Sequence, residues 1–397
     1  LILLVDGSST ALVLDAESSP VRAISEPTLE SVVSGPRDAF VENIRINTAL
    51  IRTRLGDYRL KSENFILGRR SNTLVTLMYI EDVARPEIIE DARQRISGVD
   101  TDGLLDIYYL KEFLSEGKYS IFPLLKETER PDKVCADLLE GRFALVADGS
   151  PQVLTAPSQF IEFFQASEDY YTNPYLVFLL RCLRFAGFAM ACLLPALYVA
   201  VSTYHPEMIP IPLVFSVAGA RETVPFPAFI EALLMLLIFE LLVEAGVRLP
   251  RVVGGAVNIV GALIVGQAAV EAGVVSPILV IVVAATAIAS FAAATTYQIG
   301  PLTRPLRLIF LIAAGVLGLY GVGLVSLAML VNMASLKSFG VPYLAPLAPI
   351  ITAELKEDVI FRAPKWAVGP RPELIAGEDR IREGSVPPGK SDSTGEQ

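Results

Sequence analysis

Six polar side chains interrupt two apolar stretches of this chain at matching intervals. Glu231, Glu240 and Glu244 are spaced by nine and then four residues, and Asn258, Gln267 and Glu271 repeat those intervals 27 residues on. At about 100° per helical residue, the first member of each triplet faces opposite the other two. An ionisable group inside an apolar helix is costly unless it is paired, protonated or hydrated, so such groups mark ion paths and proton relays. The chemistry open to them is attraction of a cation or passage of a proton, not bond making. Both stretches close on V-E-A-G-V-x-x-P. Gly246 and Gly273 fit left-handed helix caps, with Pro250 and Pro277 just beyond. That grammar does not explain the acid, because a carboxylate in a last turn opposes the helix dipole. Glu244 has Arg248 four residues on as a pairing partner. The only cations near Glu271 in sequence are Arg248 and Arg251, across its own helix.

No other constellation competes. The single histidine, His205, has no second histidine or cysteine beside it, so no metal site is expected. The Asp-Gly-Ser turns lack the Gly-Lys-Ser/Thr ending of a phosphate loop, and no G-x-S-x-G elbow occurs. The chain is therefore expected not to be an enzyme and to need no cofactor. A net charge of −10 argues against nucleic acid as a partner. Cys135, Cys182 and Cys192 are scattered and imply no disulfide framework.

The elements that must position these residues follow from an uneven charge distribution. Hydrophobic residues make up 52% of the 397, and mean hydropathy is +0.51. Charges crowd residues 1–174 and the tail after about 353, whereas Glu271 is the only charged residue between Arg251 and Arg304. The pattern predicts an α/β or α+β soluble N-terminal domain followed by a polytopic all-α membrane domain. The soluble domain covers 1–170. Helices are expected at 36–55, 85–96 and 130–141, and strands at 60–67 and 71–80. Asp6-Gly7-Ser8 and Asp148-Gly149-Ser150 read as hairpin turns and raise the reading of two related subdomains. The opening LILLVDGSS has no initiator Met and reads as a chain entered in mid-strand, its first subdomain truncated.

The membrane domain covers 175–336, with apolar segments at 185–203, 225–246, 254–273, 276–298 and 305–333. If all five cross, Arg181, Arg184, Arg248, Arg251, Arg304 and Arg307 share one face with the soluble domain, which the positive-inside rule makes cytoplasmic. Small residues, among them Gly315, Gly318, Gly321 and Gly323, predict a tightly packed bundle and an oligomer. The segment 337–362 is broken by Pro342, Pro346 and Pro349 and is expected at the membrane surface. Residues 363–397 are expected to be disordered.

Several stretches resemble the A-subunit family of bacterial spore germinant receptors: SGPRDAFVENIRINTALIRTRL, ERPDKVCADLLEGRFALVADGSP, FIEFFQASEDYY, STYHPEMIP, RETVPFPAFIEALLMLLIFELLVEAGVRLPR, GALIVGQAAVEAGVVSP and SFGVPYLAPLAP. The likeness runs in one order to about residue 355. A sporulation membrane protein of the stage V AF type shares the architecture, but FFQASEDYY and STYHPEMIP look more like the receptor branch. The resemblance implies a multi-pass protein of the spore inner membrane with a cytoplasmic N-terminal domain. Its implied partners are a transporter-like B subunit, a lipoprotein C subunit, further copies of itself and membrane lipid. It also implies an oligomeric, nutrient-gated ion channel that triggers germination. In that channel Glu231 or Glu240 would form an acid ring, and Asn258, Gln267 and Glu271 would line the pathway. A secondary transporter and a membrane scaffold are the alternatives.

Overall fold

The computed structural model describes residues 2–3, 12–13, 26–27, 30, 32, 34–117, 120–248, 264–359, 361–364 and 369–382. At the start, β1 (Ile2–Leu3) pairs antiparallel with β2 (Leu12–Val13). The turn Asp6-Gly7-Ser8 lies outside the described residues.

The first helix, α1 (Ile44–Arg54), is shorter than the 36–55 expected from periodicity. Asn43 sets its start by accepting the amides of Arg45 and Ile46, two donors that the helix cannot satisfy itself. Asn47 then bonds Val41 in both directions, at 2.8 and 2.6 Å, and holds the preceding chain off the helix. Pro36 is left outside it, with its carbonyl accepting from Arg130 Nη2 at 3.0 Å.

Next come β3 (Leu60–Leu67), β4 (Thr73–Ile80), α2 (Pro86–Ser97), α3 (Ile107–Leu114), β5 (Lys126–Thr128), α4 (Pro131–Leu139), β6 (Phe143–Ala147) and β7 (Val153–Ala156). Five of these strands form one sheet in the order β3-β4-β6-β7-β5, and every pair is antiparallel. Of the two fold classes open from sequence, the domain is therefore α+β. The Asp148-Gly149-Ser150 turn joins β6 to β7, with Gly149 at φ 82°. The continuous apolar run of β6 is explained by cover on both faces. Phe143 and Leu145 pack with Ile88, Ile89 and Ile107, whereas Ala144 and Val146 pack with Ile44, Ile51 and Val134. Alternate side chains of one strand thus serve two helical layers.

The apolar half holds α5 (Pro174–Tyr204), α6 (Ile211–Arg221), α7 (Ala228–Arg248), α8 (Pro277–Ala293) and α9 (Ile299–Ser335). Only α5 and α9 among the described residues are long and apolar enough to cross a membrane, which meets the five-span expectation in part. The α8 helix is apolar but has 17 residues, and α7 carries three glutamates and an arginine in 21. The α6 helix was not expected. Of the 254–273 segment the described part begins at Ile264, with π-type bonding over Ile264–Ala268 and helix over Ala269–Glu271. Gly187 lets α5 and α8 touch, since a Cβ there would sit 3.0 Å from the Ala289 carbonyl oxygen. Gly318 breaks α9 with φ 61°, and the Tyr204 hydroxyl donates to the nearby Gly315 carbonyl at 2.6 Å.

After α9 the chain returns to the N-terminal domain through β8 (Lys337–Ser338) and β9 (Val341–Pro342). The Pro-rich segment, expected at the membrane surface, packs on that domain. Tyr343 is fully buried, its carbonyl accepts the Phe160 amide at 2.9 Å, and the Phe339 and Phe143 rings lie 4.9 Å apart. Residues 369–382, expected to be disordered from their charge and proline, are also bound. The Gly377 and Asp379 amides donate to the Val83 and Asp82 carbonyls, and Arg382 Nη2 meets Glu140 at 2.9 Å. Composition counts such arginines as solvated, whereas here carbonyls and carboxylates hold them.

One apolar cluster runs through the junction, joining Phe163 and Phe164 to Phe188 of α5, Phe310 of α9, and Tyr343. Each such aromatic contributes about 1.5–3 kcal/mol on burial. The two halves therefore share a core.

Candidate functional site

At this junction α5 presents Arg181, which is fully buried. Its Nε donates to Asp169 Oδ2 at 3.1 Å, and its Nη1 donates to the carbonyls of Asp358 and Val359 at 2.7 and 3.0 Å. Its Nη2 reaches Asp358 Oδ1 at 3.0 Å, and Arg184 Nη1 joins Asp169 at 2.7 Å. The Tyr170 hydroxyl donates to the other Asp358 oxygen at 2.7 Å. Burial pushes the Asp358 carboxyl up, against the pull of Arg181. Three separate segments are thereby locked: the turn before α5, α5 itself and the returning C-terminal chain.

Two acids of α7, Glu231 and Glu240, meet partners from other helices, whereas Glu244 keeps the Arg248 that spacing suggested. Glu231 sits in the first turn of α7, fully buried, and its Oε1 accepts the Ser276 amide at 2.5 Å. Ser276 is the N-cap of α8, and its own side chain accepts the Leu279 amide. A carboxylate at the start of two helices is favoured by both dipoles. Arg221 Nε, at the end of α6, stands 3.8 Å from the second Glu231 oxygen. One acid thus gathers the ends of three helices.

Glu240 meets Arg304 Nη1 of α9 at 2.8 Å, with both side chains about one-third exposed. Arg307, the next cation on α9, is buried and donates from Nε to the Ala191 carbonyl at 3.0 Å. No carboxylate among the described residues lies within ion-pair distance of it. Glu244 meets Arg248 at 2.7 Å on an exposed surface. That contact belongs to a helix that runs through Gly246 to Arg248, so Gly246 is not the cap that the motif suggested. Gly273, in contrast, takes φ 64°. The two V-E-A-G-V stretches therefore end differently.

Gln267 and Glu271 are exposed, and Glu271 has no ion pair among the described residues. Asn258 lies outside the described residues. Sequence spacing missed Arg221 and Arg304 as neighbours of the acids, because they come from other helices. Arg304 reads from the sequence only as a charge flanking a span. Among the described residues no group of three or more His, Cys, Asp and Glu is arranged to hold a metal ion. In the described part of the apolar half, the arrangement neutralises Glu231, Glu240 and Glu244 within the chain and leaves Glu271 free at the surface.

Comparison with known proteins places the chain. The family described as "Bacillus/Clostridium GerA spore germination protein" matches residues 1–374. Spore germination protein KA of Bacillus subtilis (strain 168) is 44% identical over 383 residues, which is 96% of this chain and 70% of that protein. The uncharacterized membrane protein YfkQ of the same strain is 45% identical over 94% of this chain and 72% of its own length. Spore germination protein GerLA of Bacillus cereus is 41% identical over 95% of this chain and 76% of its own length. A solved structure, the N-terminal domain of the A subunit of the Bacillus megaterium spore germinant receptor GerK3, is 38% identical. It covers 32% of this chain and 99% of that one, with a TM-score of 0.26. A family match across nearly the whole chain, with relatives above 40% identity, establishes that this chain belongs to the GerA family of spore germination proteins.

Proposed function

We propose that this chain is the A subunit of a spore germinant receptor, seated in the spore inner membrane and assembling with further copies into a nutrient-gated cation channel. Residues 1–170 form its cytoplasmic domain, 175–336 its membrane domain, and 337–382 a return onto the cytoplasmic domain. A transporter-like B subunit and a lipoprotein C subunit complete the receptor. Family membership supports the receptor role, and Glu271 is the observation that carries the channel reading. It is exposed and without an ion pair among the described residues, while Glu231, Glu240 and Glu244 have intrachain partners. Under cyclic symmetry a free acid repeated in every subunit becomes a ring, and acid rings favour cations. Gln267, one turn before Glu271 and also exposed, belongs to the same pathway, with Asn258 as its third member. The test is cation flux through the reconstituted receptor with Glu271→Gln beside Glu231→Gln and Glu240→Gln. Loss of cation preference in the first alone supports the reading, and wild-type preference in all three contradicts it.

A transporter is the second reading, favoured by the break in α9 at Gly318 beside Tyr204. Saturable, substrate-coupled counterflow by this chain alone would establish it in place of the channel.

A further inference from the structure

A cavity of about 380 Å³ lies in the N-terminal domain, between α4, the turns before α5 and the returning C-terminal segment. Small-molecule sites begin at about 300 Å³. Six cationic side chains stand in its wall: Lys126, Lys133, Arg142, Arg362, Arg371 and Arg382. Five of them have a carboxylate in contact. Lys126 meets Asp137 at 2.8 Å, Lys133 meets Glu30 at 2.9 Å, and Arg142 meets Glu162 at 2.6 Å. Arg371 meets Asp379 at 2.7 Å and Arg382 meets Glu140 at 2.9 Å.

Arg362 is the exception. No carboxylate among the described residues lies within 4 Å of it, although the residue is only 6% exposed. Its Nη1 donates to the carbonyls of Asp169 and Thr172 at 2.8 and 2.9 Å, and its guanidinium lies 5.5 Å from the Tyr170 ring centre. Those contacts fix the side chain without cancelling its charge. Buried charges in proteins are ordinarily paired, because an unpaired one forfeits its hydration. Nη1 is taken by those carbonyls, and Nε and Nη2 have no hydrogen-bond partner among the described residues. In a side chain that lines the cavity, this leaves the side-on edge that matches phosphate and carboxylate.

We propose that this cavity binds a small oxyanion, a phosphate or carboxylate group, with Arg362 as its charge partner. Two sources can supply that chemistry, a soluble metabolite or the headgroup of an anionic lipid, since Tyr170 and Tyr171 of the wall lead directly into α5. Occupancy has a mechanical consequence. Arg362 belongs to the same returning chain as Asp358, which grips Arg181 of α5, so a bound anion tightens that chain onto the first long apolar helix.

The test uses the purified full chain. In detergent at constant ionic strength, inorganic phosphate and citrate are titrated while the melting midpoint and the phosphate ³¹P line width are followed. In nanodiscs, phosphatidylglycerol is compared with phosphatidylcholine. Saturable binding of phosphate or citrate that Arg362→Gln abolishes supports the proposal with a soluble ligand. A rise in midpoint with phosphatidylglycerol alone, lost in the variant, supports it with a lipid headgroup. Arg362→Lys keeps the charge and one carbonyl bond but not the fork, and is expected to fold and to bind about tenfold more weakly. Absence of binding by all three anions, or wild-type affinity in Arg362→Lys and Arg362→Gln, overturns it.

Discussion

The Glu231 carboxylate accepts the Ser276 backbone amide at 2.5 Å, so the first turn of α7 caps the first turn of α8. The two residues are 45 apart in sequence, and both are buried. Glu231→Ala leaves that amide unpaired and is expected to lower stability by about 1–3 kcal/mol. Glu231→Gln keeps an acceptor oxygen and should lose less. Thermal melts of the two variants check this order, and a wild-type melt for the alanine variant contradicts the capping role.

Arg181 closes the junction between the two halves with bonds to Asp169, Asp358 and Val359. Removing one partner of a buried ion pair costs about 3–5 kcal/mol, because the remaining charge is stranded. Arg181→Ala should therefore melt well below the wild type and expose the chain near Asp358 to limited proteolysis. An unchanged digestion pattern would show that the returning segment is held without it.

Glu240 and Arg304 test whether the acid of α7 is neutralised inside one chain. Either single substitution, Glu240→Arg or Arg304→Glu, places like charges in contact and should destabilise the helical half. The double exchange restores opposite charges and should recover most of the loss. A double variant as unstable as the sum of the singles would mean that the pair is not coupled.

Glu162 gives a pH dependence with a definite sign. Burial pushes its carboxyl up to about 7 from an ordinary 4.5, outweighing the lowering by Arg142 and Lys126. Between those values the folded chain holds more proton than the unfolded one, so this group favours folding at low pH. Its contribution fades as pH rises from 4.5 through 7. Melting midpoints across that window should fall less steeply with pH in Glu162→Gln than in the wild type. Parallel curves would remove Glu162 from the account.

The parts that sequence made legible are those set by near neighbours in the chain. Glu244 and Arg248 meet because four residues is one helical turn, and the β6–β7 hairpin follows from Asp148-Gly149. The buried strand β6 reads as an unbroken apolar run for a reason visible only in three dimensions, its two helical covers. The acid partners Ser276 and Arg304 were not legible, since spacing along one helix carries no information about which helix packs beside it. The 36–55 periodicity overran the true start of α1 because Asn43 and Asn47 act through hydrogen bonds, which an apolar pattern ignores. The return of residues 369–382 was hidden for a similar reason. Its arginines look solvated by composition, yet Arg371 and Arg382 hold it to Leu139 and Glu140.

Glu271 decides the central claim. The measurement is the reversal potential of the reconstituted receptor in a planar bilayer under a potassium chloride gradient, for the wild type and for Glu271→Gln. The account predicts a cation-selective potential in the wild type and a marked shift toward zero in the variant, with Glu240→Gln close to the wild type. A receptor that conducts with the same cation preference after Glu271→Gln, or that carries no current in its open state, contradicts it.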